Sequence, residues 1–379
     1  MCIRDSGLTV IPLFILMGEI AYYSGVNEKL YKTAYKWVGQ IRGGIAMSTV
    51  LACALFSAIC GSNAATAATM TAVALPEMKK YKYEPMLSTG SIACGSTLGV
   101  VIPPSVVLIV IGLYTGQSIG KLFYGGVAAG VLLAVLFMLS VYFLCRIFPA
   151  WGPVGPKTTF KEKIYALPGS FEIVILFVLV MLGLYFGFFT PTQAGAAGSF
   201  LALVISLIQR SLSWKGFVNS IVDTLRISCM VMVLVTGATI FGRFLAVTRI
   251  PFDIANWVAS LPIPNFCIMA IIFIIFIIGG AVMDALALLL ITIPIFYPVA
   301  LELGYDPIWF SVTITVITTL GAVTPPVGAT TYVVAGMAKD VPLGRVFKGV
   351  TYFLPAYIVC VLILMIFPKL VTFLPSLVK

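Results

Sequence analysis

Two pairs of adjacent prolines, Pro103-Pro104 and Pro325-Pro326, each close a similar stretch of chain. Thr97-Leu98-Gly99-Val100-Val101-Ile102 precedes the first pair, and Thr319-Leu320-Gly321-Ala322-Val323-Thr324 precedes the second. Proline lacks a backbone donor and clashes with the turn before it, so neither run can continue as one helix. The chemistry of such a break is that of the groups it frees. A segment opening at Pro104-Ser105, or at Pro326-Val327, presents N–H groups and the positive end of a helix dipole, which suit an anion. The carbonyls of Leu98-Gly99 and Leu320-Gly321 end the preceding half-helix and suit a small cation. Two further places offer polar atoms inside apolar runs: Gly61-Ser62-Asn63 followed by Thr66, and Gly279-Gly280 followed by Asp284. Asp284 has no charged neighbour in its run; an ionisable group in such a place is costly and points to an ion or substrate site, the bland alternative being a helix–helix hydrogen bond. For Ser62, Asn63, Thr66 and Thr324 the bland alternative is packing between small polar residues. Glu19 reads as structural, capping or pairing near an interface, and Arg243 and Arg249 as reaching lipid headgroups.

The solvent around these residues follows from composition. The chain has 379 residues, 61% of them hydrophobic and 9% charged, whereas a soluble domain needs roughly 25% charged residues to face water. Lipid is the main solvent, and the expected fold class is an all-α polytopic membrane protein. The net charge of +10 lies in short loops between apolar runs, which is the positive-inside pattern and not a nucleic-acid surface. The chain contains no histidine and its eight cysteines are scattered without CxxC spacing, so no His relay, His metal site or disulfide framework is expected. Intramembrane hydrolysis needs a Ser/His, paired Asp or HExxH arrangement, none of which the sequence supplies; a non-transporting scaffold or enzyme is the remote alternative.

Along the chain, 1–6 reads as a non-native or disordered start, 7–145 as a first repeat, 146–169 as a cytoplasmic connector and 170–379 as a second repeat. Within the first repeat a basic amphipathic arm spans 27–42, suited to lying along the interface. A run over 43–76 is too short for two crossings of about 20 residues each, so it is expected to be a re-entrant hairpin, and a broken helix follows over 86–116. The second repeat offers crossings near 170–188, 192–209 and 227–247, a hairpin over 264–298 and a broken helix over 308–336.

The two copies align in order. The Thr97–Pro104 and Thr319–Pro326 stretches, Pro76 with Pro298, and Tyr83-Glu84-Pro85 with Tyr305-Asp306-Pro307 all match at an offset of 222 positions. Gly120-Lys121-Leu122-Phe123-Tyr124-Gly125 then matches Gly344-Arg345-Val346-Phe347-Lys348-Gly349 at 224. The loop charges orient them. The loop over 77–85 carries Lys79, Lys80 and Lys82 while its equivalent carries no Lys or Arg, and after the breaks the bias reverses, with Lys121 alone against Lys339, Arg345 and Lys348. Equivalent loops therefore face opposite sides of the membrane, with Arg243 and Arg249 as exceptions. Inverted repeats with helices interrupted at matching positions point to a secondary transporter with a midplane site.

The chain resembles the large membrane subunit of tripartite ATP-independent periplasmic (TRAP) transporters, within the wider ion-transporter superfamily. The likeness rests on Pro12-Leu13-Phe14-Ile15-Leu16-Met17-Gly18-Glu19, Arg42-Gly43-Gly44-Ile45-Ala46, Gly61-Ser62-Asn63-Ala64-Ala65-Thr66, Ile102-Pro103-Pro104-Ser105, Leu122-Phe123 and Thr324-Pro325-Pro326-Val327-Gly328. The resemblance implies sodium-coupled uptake of small carboxylates by an elevator movement in a bacterial inner membrane. A periplasmic binding protein would deliver the substrate and a small four-helix membrane subunit would assist. By position it implies sodium ligands from Ser62, Asn63 and Gly99 at one site and from Thr319, Gly321, Thr324 and Pro325 at the other. Substrate contacts would come from Ser62, Asn63, Thr66, Pro103, Pro104, Ser105, Asp284, Pro326 and Gly328. Sodium is the only ion implied and no cofactor is expected. The runner-up is a stand-alone sodium/dicarboxylate or ion carrier that uses no binding protein. The second copy has two crossings with no counterpart upstream of 7–25, so the chain is expected to be an N-terminal fragment lacking about two helices.

Overall fold

The computed structural model describes residues 7–155, 158–259 and 262–377, mostly helical; the expectation for 1–6 falls outside the described residues. The first copy runs α1 (Val10–Tyr23), α2 (Val26–Val38), α3 (Gly44–Cys60), α4 (Asn63–Lys80), α5 (Pro85–Ser96), α6 (Leu98–Val101), α7 (Val106–Thr115) and α8 (Ile119–Ile147). Then come α9 (Phe160–Ala166), α10 (Pro168–Tyr185) and α11 (Pro191–Ile208). The second copy runs α12 (Trp214–Thr248), α13 (Ile250–Ala259), α14 (Asn265–Val282), α15 (Ala285–Glu302), α16 (Pro307–Gly321), α17 (Ala329–Met337), α18 (Leu343–Thr351), α19 (Leu354–Ile366) and α20 (Lys369–Leu377). The plan repeats: leading helix, arm, hairpin, broken helix, closing helix.

Among the described residues, seven helical spans are long and apolar enough to cross a membrane. Their burial separates interior from lipid-facing spans. The broken helix α5–α7 has 89% of its apolar window buried, against 17% for α12, whose Val233, Ile240 and Val247 are exposed. Exposed apolar side chains are stable in hydrocarbon, while backbone freed at a break must be buried in protein or line a polar cavity.

Both hairpins turn in two residues. Gly61 adopts φ +61° at the end of α3, a conformation that favours glycine, and extended Ser62 caps α4. Met283 and Asp284 make the equivalent turn between α14 and α15. Their second arms run past the prolines at which the hairpins are expected to end: α4 holds Pro76 and reaches Lys80, and α15 holds Pro294 and Pro298 and reaches Glu302. The arm α2 stops at Val38, short of 42, because the chain turns at Gly39 and at Gly43, the latter with φ +75°. The crossing expected over 227–247 starts at Trp214. Ser213 Oγ caps it by accepting the Gly216 N–H at 3.0 Å, so its polar first turns stay helical; its 35 residues span about 52 Å, well beyond the roughly 30 Å hydrocarbon core.

The connector after α8 is stitched onto the first copy. Gly43 N–H donates to Gly152 O and Glu84 N–H to Trp151 O, both at 3.0 Å, and Tyr83 OH donates to Pro153 O at 2.9 Å. It thus holds the start of the first hairpin beside the start of the first broken helix. Glu19, read from sequence as structural, is buried on α1. α1 presses on the hairpin tip there: a Cβ on the adjacent Gly18 would lie 2.9 Å from Ile59 O and 3.0 Å from Cys60 O.

Candidate functional site: two hairpin tips against two helix breaks

Each hairpin tip packs backbone to backbone on the break of its own copy. In the first copy, a Cβ on Gly99 would sit 3.0 Å from the carbonyl carbon and oxygen of Ser62 and 3.3 Å from Thr66 Oγ1. A Cβ on Gly61 would sit 2.8 Å from Pro104 O. In the second copy, a Cβ on Gly321 would lie 2.5 Å from Cα and C of Gly280, and one on Gly280 would lie 2.9 Å from Thr318 O. Glycine is required at these positions because two main chains approach within contact distance. Both proline pairs, Pro103-Pro104 and Pro325-Pro326, are joined by cis peptide bonds.

The first tip gathers neutral oxygens. Thr66 Oγ1 donates to Ser62 O at 2.8 Å, and Ser62 Oγ accepts the Ala65 N–H at 3.4 Å. Asn63 Oδ1 is buried and has no hydrogen-bond partner among the described residues. A buried acceptor left in that state costs about 1–3 kcal/mol, which a bound cation would recover. Across the gap Ser105, fully buried, donates from Oγ to Val100 O at 2.5 Å and caps α7 by accepting the Leu108 N–H at 3.4 Å. Of the first-copy residues singled out from sequence, Ser62, Asn63, Thr66, Gly99, Pro104 and Ser105 thus meet in one place, with Pro103 inside the break.

The second site differs in its side chains. Asp284 occupies the position equivalent to Ser62 and has the same local role: Oδ1 caps α15 by accepting the Leu286 N–H at 2.9 Å. Its side chain is exposed. Thr324 uses both N–H and Oγ1 to donate to Gly321 O, each at 3.0 Å. Val327 N–H donates to Ala281 O at 3.0 Å and Gly328 N–H to the same oxygen at 3.4 Å, tying the segment after Pro325-Pro326 to the tip. Thr331 Oγ1 donates to Val323 O at 2.9 Å, drawing the start of α17 onto the break. Thr319 is fully buried, its hydroxyl donating to Val316 O at 2.6 Å.

Tyr357 went unmarked in the sequence. It is fully buried on α19, its hydroxyl lies 2.6 Å from Thr97 Oγ1, and its ring packs edge-on against Phe137 at 4.9 Å. Thr97 sits in the first broken helix and α19 in the second copy, so this tyrosine ties the two copies together. A hydroxyl in an otherwise apolar crossing was the available signal. Among the described residues no group of three His, Cys, Asp or Glu side chains could hold a metal ion; what the tips offer is carbonyl, amide and hydroxyl oxygen, with one carboxylate at Asp284, the ligand type of hard cations.

Comparison with known proteins agrees with this architecture. The chain is 33% identical over 97% of its length, and 84% of the relative's, to the C4-dicarboxylate TRAP transporter large permease protein DctM of Pseudomonas aeruginosa. It is 29% identical over 98% of its length, and 86% of the relative's, to the sialic acid TRAP transporter large permease protein SiaM of Vibrio cholerae. In fold it is similar to the Alcanivorax borkumensis YdaH transporter, with a TM-score of 0.72 at 14% identity over 97% of this chain and 86% of that one. The family described as tripartite ATP-independent periplasmic transporter, DctM component, matches residues 2–370. The chain belongs to that family and is a multi-pass inner-membrane permease, not an enzyme.

Proposed function

We propose that the protein imports small organic anions by sodium-coupled movement of its hairpins and broken helices against a framework of the remaining helices. The observation that carries this reading is the paired tip-on-break geometry, with the partnerless Asn63 Oδ1 at the first tip. Neutral oxygens at the first tip, and backbone carbonyls with the Asp284 carboxylate at the second, suit sodium, and the N-termini of α7 and α17 suit a carboxylate. Binding a cation at the tip closes an otherwise unsatisfied hairpin onto the break, which couples ion occupancy to the anion site beside it. Relatives named for C4-dicarboxylates, sialic acid and 2,3-diketo-L-gulonate support an organic acid as the substrate class. The glycine-marked turn between α2 and α3 supplies the kind of hinge an elevator movement needs. The family implies two partners, a periplasmic binding protein that delivers the substrate and a small membrane subunit.

Uptake of radiolabelled succinate into proteoliposomes containing this chain and its small subunit tests the reading. Accumulation is expected only with an inward sodium gradient and a loaded binding protein. Uptake that ignores sodium overturns the coupling; uptake that needs no binding protein supports a stand-alone carrier instead.

A further inference from the structure

Two cavities lie end to end between the long helix α12 and the second hairpin arm α15. The inner one is apolar and measures about 360 Å³, with Val233, Leu234 and Phe241 of α12 and Leu290 and Ile291 of α15 on its walls; the outer one measures about 590 Å³. Leu234, Ala238, Phe241 and Leu245, three and four residues apart on one face of α12, border first one and then the other, and Arg249 follows just past the helix end. The arm α15 does the same from Ala287 to Glu302. The two cavities form one groove. From Val233 to Arg249 it runs about 24 Å along the helix, close to one leaflet of a bilayer about 40–45 Å thick. Gly237 keeps its inner part open: a Cβ there would meet nothing within 4 Å, unlike the glycines at the hairpin tips. The outer part carries one charge of each sign, Arg249 and Glu302. Both are exposed and neither forms an ion pair among the described residues, Arg249 lying instead over the Phe252 ring at 5.1 Å.

We propose that this groove holds an aminophospholipid of the outer leaflet, its phosphate at Arg249, its ammonium at Glu302 and one acyl chain past Gly237. Charge decides the headgroup. Arg249 and Glu302 together are neutral, so the groove matches a zwitterion, and a primary ammonium can donate to a carboxylate where a glycerol headgroup brings no positive charge. Size decides the tail. About 360 Å³ spread over the roughly 12 Å from Val233 to Phe241 leaves a section of about 30 Å², against about 80 Å² for a helix 10 Å across. An extended hydrocarbon chain fits; a helix of another subunit does not. The leaflet follows from the loop beyond Glu302, which carries no Lys or Arg up to Pro307 and so faces outside by the positive-inside rule. Arg249 is an exception to that rule, and a phosphate supplies the anion it lacks. Lipid can reach the groove along α12, where Val233, Ile240 and Val247 are exposed. The site does not depend on the transport reading, since binding alone defines it.

Native mass spectrometry of the full chain, extracted from membranes with equal phosphatidylethanolamine, phosphatidylglycerol and phosphatidylcholine, tests this. The wild type is expected to retain phosphatidylethanolamine in preference to both others. E302Q removes the partner of the ammonium and is expected to lower that preference about fivefold, and R249Q to lower retention of all three by about the same factor. G237L puts a side chain into the groove where a Cβ meets no protein atom, and leucine favours a helix over glycine; this variant is expected to shed the lipid. E302Q, at an exposed position, covers the case in which G237L does not fold. Equal retention of phosphatidylethanolamine and phosphatidylglycerol by the wild type, an unchanged preference in E302Q or unchanged retention in R249Q overturns the proposal. So does protection of a G237C thiol from maleimide, read at that position, by the small membrane subunit and not by phosphatidylethanolamine, which assigns the groove to protein.

Discussion

The hydroxyls of Thr97 and Tyr357 lie 2.6 Å apart, both residues fully buried. Tyr357 belongs to α19 of the second copy, so this hydrogen bond ties the first broken helix to the second copy. Tyr357→Phe keeps the ring against Phe137 and removes only this bridge. It is expected to cost about 1 kcal/mol, read by thermal unfolding in detergent, and to raise the sodium concentration for half-maximal uptake. A variant that loses stability with an unchanged sodium dependence would leave Tyr357 a packing residue only.

Gly99→Ala and Gly321→Ala place a methyl group where main chains meet. At Gly99 the nearest atoms are 3.0 Å away, at Gly321 they are 2.5 Å away and all belong to backbone that cannot swing aside. Overpacking of this kind costs about 1–3 kcal/mol, so both variants are expected to be destabilised, Gly321→Ala the more. Equal melting temperatures for the two would refute the geometric argument.

Asn63→Ala separates stability from function by sign. Removing a buried acceptor with no partner relieves a cost of about 1–3 kcal/mol, so the sodium-free protein is expected to melt no lower, and higher if the site closes. Sodium protection against melting is expected to shrink in the same variant. A lower melting point without sodium, or full sodium protection, would show that the amide has another role.

Asp284 holds a helix cap, and the cap can be kept while the charge is removed. Asp284→Asn preserves an acceptor for the Leu286 N–H and is expected to leave stability intact, whereas Asp284→Ala is expected to lose about 0.5–2 kcal/mol. Uptake by Asp284→Asn then decides the matter: a loss of tenfold or more assigns a role to the charge, and wild-type rates leave the carboxylate as a cap.

Much of the architecture was open to a reading of residues alone, because its causes are local. Lipid as solvent follows from the scarcity of charge, the breaks from Pro103-Pro104 and Pro325-Pro326, and the inversion from where the loop lysines fall. Where the linear reading slipped, it treated a helix-compatible feature as an end: Pro76 and Pro298 lie within α4 and α15, and the polar turns after Ser213 belong to α12. The neighbours of prolines and polar turns in the folded chain, and not their identity, decide whether a helix continues.

Only the tertiary structure could decide which freed groups face one another. That Gly280 lies on Gly321, that Asn63 Oδ1 has no partner among the described residues, that Asp284 takes the capping place of Ser62 and that Tyr357 of the second copy meets Thr97 of the first are facts of the folded chain. Periodicity and composition specify each helix and its solvent. They carry no information on the azimuth at which two helices meet, and that angle is set by close packing of backbone on backbone.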